Sequence, residues 1–113
     1  MITVGLQATE ATLAALLAQE AKLVAGTPTE TAVSVGTGNT AVLSANASRK
    51  FLSLINDSPN TIYVALSGNN AALNTGTMLA PRGGSVFFDR YIPRAAVKAI
   101  ATGAASNLLV TEG

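Results

Sequence analysis

Apolar and polar positions alternate most clearly between residues 61 and 67, which places Ile62, Val64 and Leu66 on one face of a β-strand. Large apolar residues also dominate 49–56, and the segment between the two, 56–60, is a cluster of turn-forming Asn, Asp, Ser and Pro. We therefore predict a β-hairpin over residues 47–67 and take it as the centre of a small β-domain.

Further short strands are predicted on both sides of this hairpin, each bounded by Gly, Pro, Asn or Asp. They are 31–35, 40–45, 77–80, 85–89, 95–101 and 107–112. The stretch 95–101 also fits a helix, but its alternation and the following Gly103 favour a strand. Seven or eight short strands predict an antiparallel β-sandwich of jelly-roll-like type. The polar loop 68–76 is expected to reach out from it, with Leu73 as a buried peg.

The N-terminal arm has a different pattern. Residues 7–25 are rich in Ala, Leu, Glu and Gln, contain no Gly or Pro, and are followed by Gly26 and Pro28, which predicts one α-helix. One stripe of this helix is formed by Leu6, Leu13, Leu16 and Leu23, and Leu17 lies beside the stripe. This helix either packs on its own β-domain, or bundles with copies of itself or docks on a partner. The predicted organisation is an arm, helix and linker over 1–30 and a β-sandwich domain over 31–113.

Composition and charge predict a small hydrophobic core and a weakly charged surface. Hydrophobic residues make up 49% of the 113 residues, but 21 of them are alanines, and charged residues are only 12%. Burial against copies of the chain or a partner would supply the missing apolar area. The net charge of +1 gives no electrostatic reason to expect a nucleic acid or membrane partner. Positive charges gather late, at Arg82, Arg90, Arg94 and Lys98, where we favour a solvated rim over a polyanion site.

No residue pattern predicts a reaction. The sequence has no cysteine or histidine, which excludes disulfides, thiolate nucleophiles and the commonest general base. Residues 36–41 fit G-x-G-x-x-A, but no helical stripe follows, so we favour a hairpin turn over a dinucleotide loop. Ser48 and Lys50 suggest a Ser-Lys pair, but a surface loop at 48–50 is the better interpretation. We therefore predict a non-enzyme with no catalytic residues, cofactor or metal.

The N-terminal residues do not fit the pattern of a signal peptide. No Lys or Arg precedes the first apolar run, Glu10 interrupts it, and the uninterrupted apolar run 13–18 is far short of the roughly 20 residues that span a bilayer. We expect synthesis in the host cytoplasm without a signal peptide.

Three segments, 43–67, 78–88 and 95–113, resemble small β-sandwich virion accessory proteins of tailed bacteriophages. The likeness lies in short motifs: Arg49-Lys50 before a strand, the Asn-rich turn 56–60, Ile62-Tyr63-Val64, Leu79-Ala-Pro-Arg-Gly-Gly84 and Thr111-Glu-Gly113. The N-terminal helix is not part of this pattern.

The resemblance implies a capsid decoration or cement protein of the virion. Such a protein would form a homotrimer, bind the major capsid protein or another virion protein at capsomer junctions on the outer shell, and stabilise the shell. The alternatives are a tail or fibre component whose 68–76 loop touches a receptor, and a carbohydrate-binding module, which the lack of tryptophan disfavours. The candidate contact residues are Leu6, Leu13, Leu16, Leu17, Leu23, Leu73, Phe87, Arg90 and Tyr91.

Overall fold

The computed structural model describes residues 26–113 and, ahead of them, Leu13. Eight β-strands make up the described part, close to the positions that the alternation predicts. They are β1 (Thr29–Val35), β2 (Thr40–Leu43), β3 (Leu52–Asn56), β4 (Ile62–Ala65), β5 (Thr77–Leu79), β6 (Ser85–Phe88), β7 (Val97–Ala101) and β8 (Ser106–Glu112). The ambiguous stretch 95–101 is therefore a strand. Because β1 starts at Thr29, the β-domain begins inside the predicted linker.

Residues 26–113 contain no helix. The helix predicted over 7–25 lies outside the described residues except for Leu13, which is 55% exposed. The helix and its leucine stripe therefore stay predictions.

The strands form two antiparallel sheets of four, in the orders β1-β8-β3-β6 and β2-β7-β4-β5. Alternate residues of each strand point inward, as the buried, half-exposed, buried pattern of β3 and β4 shows. The inward residues of both sheets form one core, which includes Leu52, Leu54 and Val110 from the first sheet and Ile62 and Val64 from the second. The mainly β, sandwich-like prediction is confirmed at this level.

The predicted hairpin over 47–67 is wrong. Strand β3 pairs with β6 and β8 in one sheet, whereas β4 pairs with β5 and β7 in the other, so residues 57–61 cross between the sheets. Asn56 at the base of this crossing is fully buried. Its Nδ2 donates hydrogen bonds to the carbonyl oxygens of Asn60 (2.7 Å), Leu79 (3.0 Å) and Ala80 (3.1 Å). These bonds join the turn to the end of β5 instead of closing a two-stranded ladder.

The glycine motif at 36–41 is likewise a crossing and not a hairpin turn, because β1 pairs with β8 and β2 pairs with β7. The backbone N–H of Gly36 donates to Thr40 Oγ1 (3.1 Å), which in turn donates to the carbonyl oxygen of Gly38 (3.1 Å). Strand β2 follows the loop, whereas a dinucleotide loop needs a helix at that point.

The crossings divide the molecule into two different ends. Only β4 and β5 are consecutive strands of one sheet, and every other connection between the eight strands changes sheet. The connections 36–39, 57–61, 80–84 and 102–105 are short and meet at one end, which we call the turn end. The longer connections 44–51, 66–76 and 89–96 start at the opposite end, which we call the loop end. Residues 26–28 and Gly113 also lie at the loop end, because Thr29 pairs with Glu112.

Candidate functional site at the loop end

The loop end is held together by a buried arginine. Arg49 is fully buried, and its guanidinium makes four hydrogen bonds. Nε donates to Glu112 Oε2 (2.6 Å), Nη1 to the carbonyl oxygens of Pro93 (2.6 Å) and Ala95 (3.1 Å), and Nη2 to that of Ser44 (2.9 Å). One side chain thus links the end of β2, the β6–β7 connection and the end of β8. The prediction of a surface loop at 48–50 is wrong for Arg49.

Backbone contacts reinforce this frame. Arg94 Nε donates to the carbonyl oxygen of Arg49 (3.0 Å), and the N–H of Asn46 donates to the carbonyl oxygen of Arg94 (2.9 Å). Gly113 exchanges hydrogen bonds with Phe51, with its N–H donating to the Phe51 carbonyl and its own carbonyl accepting from the Phe51 N–H, both at 3.0 Å. The connections 44–51 and 89–96 and the last residue are therefore held beside the ion pair of Arg49 and Glu112.

The arm leaves the β-domain next to this frame. A Cβ built on Gly113 would lie 3.5 Å from Phe51 Cβ and 3.8 Å from Pro28 Cβ, so Pro28 packs against the last residue of the sequence. Residues 26–28 are all exposed. Whatever residues 1–25 contact, they are joined to the domain at the loop end.

An apolar groove of about 650 Å³ opens at the same end, between the base of the 66–76 loop and the 91–95 segment. Its volume is in the range of about 300–1,000 Å³ that is usual for binding pockets. Its apolar lining comes from Val64, Leu66, Phe88, Ile92 and Pro93, and its polar lining includes Asn69, Asn70, Thr75, Tyr91 and Arg94.

Of the predicted contact residues, Tyr91 lies in the groove lining and Arg90 lies next to it in the sequence. Tyr91 is 92% exposed, and Arg90 is exposed as well. Leu73 belongs to the loop that forms one wall, but it is 47% exposed, so the prediction of a buried peg is wrong. Ala71 is the buried residue of that loop, and its N–H donates to Asn39 Oδ1 (2.7 Å).

The loop 68–76 does not reach out from the domain as predicted. Asn70 Oδ1 accepts a hydrogen bond from Lys98 Nζ on β7 (3.3 Å), and Asn74 Oδ1 accepts one from the hydroxyl of Tyr63 on β4 (3.0 Å). The loop is therefore folded back over the outer face of the sheet β2-β7-β4-β5, and part of that face is covered.

The outer face of the other sheet carries exposed apolar side chains. Phe87 on β6 is 65% exposed, and Ile55 on β3 and Leu109 on β8, which are paired across the strands, are partly exposed. Ser53 pairs with Phe87 in the neighbouring row of the sheet. Phe87 thus lies on an edge strand and close to the loop end.

The polar side-chain atoms of the described residues are hydrogen-bonded where they are buried and otherwise lie at the surface. These residues contain no group of three or more His, Cys, Asp or Glu placed to hold a metal ion. Within this part of the chain, every buried side-chain nitrogen and oxygen has a hydrogen-bond partner. Of the late positive cluster, Arg82, Arg90 and Arg94 are exposed at the surface and Lys98 is partly buried. An occupant of the groove would therefore be held by apolar contact, with cations at the margin.

Of the residues that sequence reasoning missed, Arg49 and Glu112 are the most important. Arg49 has the local appearance of a surface residue beside Lys50, and its partners lie as far as 63 residues away in the chain. Among the described residues, no helix is long and apolar enough to cross a membrane. The chain matches no protein family, and neither the curated proteins nor the solved structures contain one that is detectably similar to it.

Proposed function

We propose that this chain is a non-enzymatic structural protein of a tailed-bacteriophage virion that decorates the outer capsid shell at capsomer junctions and stabilises it. The proposal includes a jelly-roll fold, a homotrimer, the major capsid protein or another virion protein as partner, and no nucleic acid or membrane partner. Assembly would follow synthesis in the host cytoplasm.

The single observation that carries the proposal is the concentration of contact features at the loop end. The arm is joined there, an open apolar groove lies there, and Tyr91 is almost fully exposed beside it. Isolated exposed apolar residues are ordinary, but a groove with an exposed aromatic and a neighbouring apolar sheet face is typical of a protein that binds other proteins.

The strand order supports the jelly-roll part of the proposal. Eight strands in two sheets, ordered β1-β8-β3-β6 and β2-β7-β4-β5, are the arrangement obtained when two Greek keys wrap around one core. The motif likeness to virion sandwich proteins supports the virion part, since its segments 43–67, 78–88 and 95–113 contain β3, β4, β6, β7, β8 and most of β5.

The test is the copy number of the protein in purified virions, measured by quantitative mass spectrometry, together with its release by mild denaturant. Hundreds of copies per particle, release as a trimer and a loss of heat stability in the stripped heads are the expected results. A few copies per particle would instead indicate a tail or fibre component.

That tail or fibre role is the second candidate, because the 66–76 loop presents Leu73 at the surface. Binding of the protein to host cells, lost on changing Leu73, would support it. A carbohydrate-binding module is the third candidate, and binding on a glycan array would be its signature.

A further inference from the structure

We propose that residues 6–23 of one copy bind as an amphipathic helix in the loop-end groove of a neighbouring copy, so that the copies join head to tail into a closed ring. The inference adds a contact to the proposed function and rests on one part of it, namely that copies of this chain associate with each other. Its first basis is the groove itself, which has a mainly apolar lining.

The positions of donor and acceptor favour a contact between two copies. The arm continues from β1, which is one edge of its sheet, whereas the groove is lined by Phe88 of β6, the opposite edge strand. Three strand spacings separate these edges, or roughly 14 Å. If the arm leaves one edge of each copy and binds at the opposite edge of the next copy, two different surfaces meet, which is a heterologous interface. Such an interface closes into a ring when the rotation between neighbouring copies permits.

The exit of the arm also favours a neighbour. Pro28 packs beside Gly113, and a proline disfavours the helical conformation for the residue before it, here Thr27. Thr27 is therefore biased toward an extended conformation, which favours an exit along the line of β1 beyond the loop end.

The chemistry of the arm matches the groove. If residues 7–25 are helical, Leu13, Leu16 and Leu17 face one side, and Glu10 and Glu20 lie one turn away along the same side. The groove offers apolar side chains with Arg94 in its lining and Arg90 close by in the chain. A leucine stripe flanked by carboxylates therefore meets an apolar groove flanked by guanidinium groups.

Engineered cysteines test the contact without interference, because the chain has none of its own. The full-length variants Leu16→Cys, in the arm, and Thr75→Cys, in the groove lining, are prepared separately, mixed and oxidised. We expect a disulfide-linked pair of the two variants on a non-reducing gel. The double variant Leu16→Cys/Thr75→Cys should give a covalent ladder that ends at the copy number found for the native protein by sedimentation.

The matched control pairs Leu16→Cys with Thr37→Cys, an exposed residue at the turn end, and this pair should form several-fold fewer links. A double variant that cross-links only within single chains would show that each arm binds its own groove and would overturn the inference. Cross-linking no faster than the control would overturn it as well. If the protein is abundant on virions but the disulfide links do not form, the inference fails and the proposed function stands. If the links form but the protein is absent from virions, the proposed function fails and the inference stands.

Discussion

The buried guanidinium of Arg49 allows the sharpest test of how this fold is held together. Replacing Arg49 with Met keeps a long side chain in the core but removes all four hydrogen bonds. The carbonyl oxygens of Ser44, Pro93 and Ala95 then lose a donor, and the Glu112 carboxylate loses its cation.

The expected cost is about 3–4 kcal/mol of unfolding free energy. A buried acceptor without a partner costs about 1–3 kcal/mol, and loss of one member of a buried ion pair costs about 3–5 kcal/mol. The side chain of Glu112 is 22% exposed, so water can reach it, and this places the expectation near the lower figure. For a domain of this size, about 4–8 °C per kcal/mol converts the cost into a fall in Tm of at least about 12 °C.

Changes at the partners separate the contributions. Glu112→Gln keeps a carbonyl acceptor for Nε and the three backbone bonds of Arg49, but it leaves a fully buried guanidinium without a counter-charge, so it should cost about 3 kcal/mol. Arg49→Lys should cost nearly as much as Arg49→Met, because one ammonium group cannot reach acceptors that surround a planar guanidinium. Arg90→Met is the matched control, since Arg90 is exposed, and should change stability by less than about 0.5 kcal/mol.

Urea unfolding followed by circular dichroism measures all four variants and the double variant Arg49→Met/Glu112→Gln. The double variant should remain within about 1 kcal/mol of Arg49→Met, because the backbone carbonyls stay without a donor in both. If Arg49→Met is no less stable than Arg90→Met, the buried frame does not hold the loop end and the reasoning fails.

Three further predictions concern other parts of the molecule. Asn56→Ala removes the donor to three carbonyl oxygens and should lower the unfolding free energy by about 2–3 kcal/mol. The control Asn69→Ala, at an exposed position, should lower it by less than about 0.5 kcal/mol in the same urea titration. Gly84→Ala would drive a Cβ into the backbone of residue 80 and should cost about 1–3 kcal/mol, while Gly38→Ala, with open space around it, should be neutral or slightly stabilising; equal melting temperatures would contradict this. Phe87→Ser should leave the melting temperature within a few degrees but weaken binding to virion heads in a pelleting assay, and unchanged pelleting would exclude the outer sheet face from the contact.

The positions of the strands were predictable and their partners were not. Alternation of side chains reports which residues face a core, so Ile62 and Val64 could be placed correctly from the sequence. It does not report which strand lies alongside. A cluster of Asn, Asp, Ser and Pro marks a reversal of the chain, but the reversal at 57–61 joins two sheets instead of two paired strands. The difference depends on Asn56 bonding to Leu79 and Ala80, residues more than 20 positions away.

The sequence named some exposed residues near the candidate site but not the frame that holds it. Tyr91, in the groove lining, and Phe87, on the outer face of the other sheet, are both exposed. Arg49 escaped prediction because a charged residue is seldom fully buried and nothing in the neighbouring sequence signals the exception. Leu73 failed in the opposite sense: it was expected to be a buried peg, but the loop is fixed by Ala71 and by amide hydrogen bonds.

The two ends of the domain use hydrogen bonds for different purposes, and this difference bears on how the protein could bind. At the turn end, Asn56 joins the connection 57–61 to the end of β5 and to the connection 80–84. At the loop end, Arg49 fixes the segment 93–95 from inside, and the outer side of that segment lines the groove. A groove wall that is already fixed in the free protein loses little conformational entropy when an occupant binds. The buried arginine therefore stabilises the fold and also prepares the groove, so variants of Arg49 should weaken binding at the loop end even at temperatures where they remain folded.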